Sequence, residues 1–260
     1  MTPEETQDFQ FAESLLGLAI DIVGAATVQV TAEGARDPKI VSLALLCRTI
    51  TNFKGAMVMA RDEQIVESRS LVRLCFENLL WVAAIRERGS DFVNDMRSDE
   101  AANKVALGEL TLKLSTPDVR EGTDGQVIRT QIKRLNSAFL KPKKLNVNRA
   151  AAEGVTEKAY LSYAMLSLDA VHPSLTALNR HVHLEQEADG RYLTVSVVPP
   201  FKSKDRLATM DEACNALLGV CVGVNELLGG TAKSDAMRVL AERFQAQGSH
   251  AYVITPNHRS

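Results

Sequence analysis

Arg69, Arg73 and Glu77 stand four and four residues apart in an otherwise apolar stretch, among Val72, Cys75, Phe76 and Leu80. On a helix that spacing sets all three along one stripe. A guanidinium with apolar neighbours is costly unless it is paired and hydrogen-bonded. Two kinds of chemistry follow. One is an internal ion pair that ties helices together; the other is a cavity in which the arginines hold an anion or a polarised substrate. Arg48 and Asn52, flanked by Leu45, Leu46, Cys47, Ile50 and Phe53, form a matching polar stripe one helix earlier. The connection near Arg61-Asp62 is short, so these two helices are expected to pack antiparallel with Arg48 facing the same interior.

A third polar set lies far downstream, in Tyr160-x2-Tyr163-x3-Ser167-x4-His172-Pro173-Ser174. Tyr163 and Ser167 share a helical face. His172 closes that helix, where an imidazolium bonds terminal carbonyls and gains from the helix dipole. The alternative is a general acid/base aimed at the arginines. A shared site makes Arg73, Glu77 and His172 the catalytic candidates and Arg48, Arg69, Tyr163 and Ser167 the binding candidates. Arg73 and Glu77 are then expected to be largely buried, with His172 beside them.

Arg73-x3-Glu77 in an early apolar helix, followed by Tyr-x2-Tyr-x3-Ser-x4-His-Pro-Ser, resembles a bacterial helical family catalogued only as a domain of unknown function. The resemblance covers about Val41–Arg180. It implies a site at Arg73, Glu77, Ser167 and His172 and brings no activity with it. A second comparison is with the HEPN nucleases (higher eukaryotes and prokaryotes nucleotide-binding), which are all-helical and use an Arg-x4–6-His motif. Arg243-x6-His250 has that spacing, although chance supplies about one such match in a chain of this composition. Phe244 also stands where that class carries a polar residue.

Other features bear on partners. Arg129, Lys133, Arg134, Lys141, Lys143, Lys144 and Arg149 form a basic segment without an acid. It is either a solvated surface or a contact for an anionic ligand or RNA. His181-Val182-His183 lacks the further Cys or acid that a metal site needs at ligand spacing, so no metal and no cofactor are expected. Gly219-x3-Gly223 permits close helix approach, within the core or at a homodimer seam. Walker, G-x-G-x-x-G, G-x-S-x-G and H-E-x-x-H motifs are absent, which argues against the common nucleotide-binding, hydrolase and metalloprotease classes.

These residues need elements to hold them, and the chain is rich in helix signals. Thr2, Pro3 and Glu5 open a first helix to about Val30 with a capping box. Further helices are expected over about Asp37–Ala60, Asp62–Arg88, Ser90–Leu114 and Gln126–Leu140, with a loop over Ser115–Gly125. A short helix near Val147–Glu153 and one over Thr156–Val171, resumed to about Arg180 after Pro173, come next. Alternation over His181–Val198 around Asp189-Gly190 reads as a β-hairpin. Helices over Lys204–Leu228 and Lys233–Ala246 and an irregular tail over Gly248–Ser260 complete the chain. The fold class is therefore all-α: one multi-helix bundle over residues 1–260, with 41–180 as the family-like core and one small hairpin.

With 45% hydrophobic residues, 5% aromatics and a net charge of −2, the chain has material for a large core and no global mark of a nucleic-acid binder. Acids where a signal peptide would be basic, and apolar runs interrupted by Asp21, Asn215 and Glu226, argue against secretion and membrane insertion. Cys47, Cys75, Cys214 and Cys221 form no C-x-x-C pair and are expected as buried free thiols in a reducing cytoplasm. Two functions fit: a structural or interaction module with a buried Arg/Glu/Ser/His network, or a helical enzyme or ligand binder. The most concrete form of the second is ribonuclease or nucleotide chemistry in a bacterial toxin or phage-defence setting.

Overall fold

The computed structural model describes residues 1–139, 142–145, 156–168, 174–187, 190–197, 199–230 and 233–246. The helices are α1 (Pro3–Ala25), α2 (Pro38–Arg61), α3 (Ile65–Arg88), α4 (Ser90–Leu114), α5 (Pro117–Glu121), α6 (Thr123–Phe139), α7 (Thr156–Leu166), α8 (Leu175–Leu178), α9 (Ser203–Leu227) and α10 (Ser234–Ala246). Strands β1 (Val182–Glu187) and β2 (Gly190–Val195) pair antiparallel, with Val182 opposite Val195 and Leu184 opposite Leu193. The fold is all-α with one small hairpin.

Local chemistry starts and stops these helices. At α1 the Thr2 hydroxyl accepts from the Glu5 amide at 3.2 Å while the Glu5 carboxylate accepts from the Thr2 amide at 2.7 Å. Asp37 caps α2 through the Lys39 amide at 2.9 Å, with Pro38 preset for the first turn. Gly89, at φ +54°, ends α3 and serves as the N-cap position of α4. Ser90, the first residue of α4, donates to Glu33 at 3.1 Å.

Some boundaries differ from expectation. The first helix stops at Ala25, because the stretch to Val30 has no apolar face to bury; Val30 is 92% exposed. The expected loop at Ser115–Gly125 contains α5, which Pro117 initiates from its first turn. The short helix near Val147–Glu153, Lys141, Pro173 and the tail from Gly248 lie outside the described residues.

The core is a triangle of α2, α3 and α9, with α1 laid over α9 and α2, and α7 over α3. Phe53, Phe76, Leu80 and Leu217 are fully enclosed in it. A smaller cluster of Ala84, Ile85, Phe92 and Val93 joins α3 to α4. Buried polar groups fix the α2/α3 register. Ser68 donates to the Ala56 carbonyl at 2.9 Å, and Asn78 donates to the Thr49 hydroxyl at 3.0 Å. Cys75, Cys214 and Cys221 are buried free thiols, and burial pushes Cys75 and Cys221 up to about 12. Cys47 departs from expectation: it is exposed on α2.

Gly219 and Gly223 pack within the chain, on α3. A β-carbon at Gly219 would lie 2.8 Å from Leu79 Cδ1, and one at Gly223 would lie 2.7 Å from Val82 Cγ1. Among the described residues α9 is also the one helix long and apolar enough to cross a membrane, and most of its apolar stretch is buried against its neighbours.

Gly223→Ala is therefore expected to lower the unfolding free energy by about 1–3 kcal/mol, because the β-branched Val82 cannot swing aside. Gly17→Ala, at an exposed α1 position with open space around it, should raise stability by about 0.5–1 kcal/mol. Chemical denaturation of the two variants measures both, and equal effects would contradict the packing described.

Candidate functional site

α3 presents Arg73 to α7, and the contact engages all three guanidinium nitrogens. Nε donates to Ser167 Oγ at 2.9 Å, one terminal nitrogen to Glu77 Oε2 at 3.0 Å, and the other to the Tyr163 hydroxyl. The Arg73 Cζ atom also lies 4.5 Å from the centre of the Tyr163 ring, within cation–π range. Ser167 Oγ in turn donates to the Tyr163 carbonyl at 2.8 Å, which leaves its lone pairs for Arg73. The helical spacing of 163 and 167 is what brings both hydroxyls to one guanidinium.

One turn earlier on α3, Arg69 Nε donates to Thr209 Oγ1 at 3.1 Å, and Thr209 donates to the Asp205 carbonyl at 2.6 Å. Beside it on α9, Glu212 accepts from Ser162 of α7 at 3.2 Å. Its other oxygen, Oε2, is buried with no hydrogen-bond partner among the described residues. Burial raises the Glu212 carboxyl above the usual carboxylate range; Asp211 adds to the shift, while the Ser162 bond and nearby Arg69 oppose it. A polar seam thus runs between α3, α7 and α9, with Arg73 at one end and Glu212 at the other. Chemically, Glu212 holds a proton more readily than an ordinary carboxyl, and the arginines supply positive charge.

The structure brings Arg73, Glu77, Tyr163 and Ser167 into contact, with Arg69 one turn away and bonded to Thr209. Arg73 and Glu77 are expected to be largely buried, and their side chains are 17% and 28% exposed. Arg48 does not join the site. It is exposed, because the α2/α3 contact uses Thr49 and Ala56, about 100° round the helix from Arg48. His172 lies outside the described residues, as does His250. Arg243, the other half of that pair, lies over the Phe11 ring at 5.7 Å, and Phe244 stacks on Phe11 at 5.2 Å. His181 Nδ1 is 3.0 Å from the Ser196 carbonyl, and the described residues hold no group of three or more metal-ligating side chains.

Sequence reasoning missed Thr209 and Glu212, although Asp205, Thr209 and Glu212 stand at helical spacing in the same polar stripe. It also missed a second arginine centre. Arg206 is 3% exposed and pairs with Glu5 at 3.1 Å. It also donates to the Ala60 carbonyl at 2.9 Å and to Glu63 at 3.2 Å, and lies over the Phe201 ring at 4.2 Å. A hydrogen bond from Ser203 holds the Glu5 carboxyl below its usual range, helped by the Thr2 amide and Arg206 and opposed by burial. Nothing in the sequence marked Arg206, because its acceptors come from two distant segments, the start of α1 and the α2/α3 turn.

A family model described as a family of unknown function (DUF5677) matches residues 39–191. The match runs from α2 into β2, further than the resemblance at Val41–Arg180, and takes in Arg73, Glu77, Tyr163 and Ser167. α1, α9 and α10, with Glu5, Arg206, Thr209 and Glu212, lie outside it. Comparison with curated proteins gave no match, and neither did comparison with solved structures.

The acids between α1 and α9 generate a pH dependence. Burial, then the charges of Asp211 and Glu4, push the Asp8 carboxyl up to about 6. A folded-state value above the unfolded one means that Asp8 supports the fold at low pH, and that this support is lost as pH rises through about 6. Asp8→Asn should therefore be more stable than the parent at pH 7.5, by about 1 kcal/mol because the group is partly solvated. Near pH 4 the two proteins should match. Thermal melts across that range test this, and a variant destabilised at pH 7.5 would contradict it.

Proposed function

The chain belongs to the DUF5677 family, which assigns no activity, and we propose from its own side chains that it is a non-enzymatic helical interaction module. In this reading the Arg73 network is an internal clamp holding α7 to α3. The observation that carries it is the engagement of Arg73: each of its three nitrogens already donates one hydrogen bond to a protein oxygen, and a tyrosine ring covers one face. An anion would have to displace Glu77 or two hydroxyls to gain the same contacts, and the exchange returns little net free energy. The cytoplasm suits this module, since its buried free thiols persist in a reducing compartment.

A second reading is favoured by Glu212. Its raised proton affinity and its unpartnered buried oxygen suit a helical enzyme or ligand binder acting on an anionic substrate such as a nucleotide or RNA, in a toxin or defence setting. The basic side chains Arg129, Lys133 and Arg134 on α6, with Lys143 and Lys144 beyond it, would then contribute electrostatic attraction.

Glu77→Ala separates the two. The clamp expects a loss of about 1–3 kcal/mol in unfolding free energy, from a charged hydrogen bond broken at a half-buried site. It also expects no RNA cleavage or nucleotide turnover by the parent protein. An unchanged stability, or turnover abolished by Glu212→Gln in a protein that still folds, would overturn the clamp in favour of the second reading.

A further inference from the structure

From residue 102 to residue 139 the only buried residue is Gly125. Over this length α4 and α6 lie against each other and form an arm, and α6 turns Ile128 and Ile132 onto Gly108 of α4. A helix that commits its apolar stripe to one neighbour presents its other face to solvent. On α6 that face is basic. Arg129, Lys133 and Arg134 are exposed on it, together with Gln126, Thr130 and Ser137. Arg129 and Lys133 stand four apart, one helical turn or about 6 Å along the axis. The one carboxylate of α6, Asp124, lies in its first turn, before all three cations.

The structure extends this strip beyond the helix. The Lys143 amide donates to Ser98 Oγ at 3.0 Å, and the Leu145 amide donates to Asp99 Oδ1 at 2.8 Å. These bonds pin the chain that follows α6 onto α4 and leave Lys143 and Lys144 exposed. Among the described residues no ion pair engages any of the five cations; Arg129 donates instead to the Arg120 carbonyl at 2.8 Å. The chain as a whole has a net charge of −2, yet residues 125–152 hold seven cations and no carboxylate. Like charges gathered in this way repel one another, and an external polyanion relieves the repulsion.

The layout indicates which polyanion fits. Cations spread along a helix and its continuation match a repeated charge better than a single phosphate. Docking of α6 on a membrane would need its apolar stripe free to enter lipid, and that stripe is turned onto α4. Arg134 also stands at the edge of a groove of about 540 Å³ between α4 and α6, whose lining includes Val127, Leu135 and Phe139. A strand with unpaired bases can lay them on such an apolar lining, whereas a duplex keeps its bases inside.

We propose that the α6 side of the arm, from Arg129 to Lys144, binds the phosphate backbone of single-stranded nucleic acid without cleaving it. This names a partner for the interaction module and rests on that reading. It places the contact away from Arg73 and Glu212, whose seam stays internal.

The test is fluorescence anisotropy of a labelled oligo-U of about 20 nucleotides, longer than one such strip spans, titrated with the full chain. Salt is varied between about 50 and 200 mM. Lys133→Glu/Arg134→Glu is the disrupting variant and Lys39→Glu/Lys54→Glu the control, since Lys39 and Lys54 are exposed on α2, outside the arm. For the parent, the logarithm of affinity should fall with the logarithm of salt at a slope of about −3 to −4, from five phosphates at about −0.7 each. The control should match it. The double variant should bind at least about tenfold more weakly at about 100 mM salt, with a slope shallower by about 1.4. No binding by the parent at low salt, a slope near zero, or equal weakening by the control would overturn the proposal. So would tighter binding to a duplex of the same length. Displacement of the oligonucleotide by poly-glutamate at equal charge would overturn it in favour of an acidic polypeptide. Binding to phosphatidylserine vesicles alone would overturn it in favour of a membrane.

If the double variant does not fold, amide exchange of the parent decides. Slowing in Thr123–Phe139 on adding oligo-U supports the strip, and an unchanged rate there overturns it. Absent binding with a destabilised Glu77→Ala variant would remove this partner alone and leave the clamp standing. Cleavage of the oligonucleotide would overturn both this proposal and the non-enzymatic reading.

Discussion

Arg206 is the tie on which the arrangement of α1, α2, α3 and α9 depends. A buried guanidinium is tolerated only where its charge and its donors are all met. Here Glu5 meets the charge, and the Ala60 carbonyl and Glu63 take up further donors. Those acceptors belong to the start of α1 and to the α2/α3 turn, where Glu63 holds a backbone φ of +63°. Three chain segments therefore have to arrive together, or an uncompensated charge is left inside. Arg86 and Glu226, 2.7 Å apart, close the opposite end of the α3/α9 pair. Between these two ion pairs, Gly219 and Gly223 let the helices approach until Leu79 and Val82 fill the space a side chain would take.

The polar seam between α3, α7 and α9 follows from the same packing. α7 is short and buries few large side chains, so its hold on α3 relies on hydroxyls aimed at Arg73. That explains why the network is half-buried: it lies at the edge of the core, where apolar contact gives out. At the other end of the seam, Glu212 is packed more tightly than its hydrogen bonds satisfy. The Arg73 network and a carboxyl of raised proton affinity thus stand in one seam, and burial bears on both.

The molecule keeps its least buried apolar surface away from this core. The arm of α4 and α6 exposes Leu107 and Leu114, and the β-hairpin exposes Leu184, Leu193 and Val195 on one face. A lone two-stranded hairpin is marginal in water, and so is a helix pair with one narrow seam. Both project from a core that is already complete without them. Their exposed apolar residues lie outside both core clusters.

The sequence by itself determined the helices, the place of the hairpin and the pairing of Arg73 with Glu77, Tyr163 and Ser167, though not the exclusion of Arg48. Each of these rests on local physics: caps such as Thr2 and Asp37, the period of apolar side chains, and four-residue spacings that put Tyr163 with Ser167 and Arg73 with Glu77. Local signals also allowed errors. They did not reveal that Pro117 starts a helix, or that Arg48 and Cys47 turn outward, because a neighbour on the chain does not say which face a partner helix will cover. Only the tertiary structure decided that Arg206 and Glu5 are one buried pair, that Gly219 and Gly223 serve α3, and that Glu212 has its proton affinity raised. Each of those depends on segments far apart in the chain, whose contacts exist only once the entropy of bringing them together has been overcome by burial.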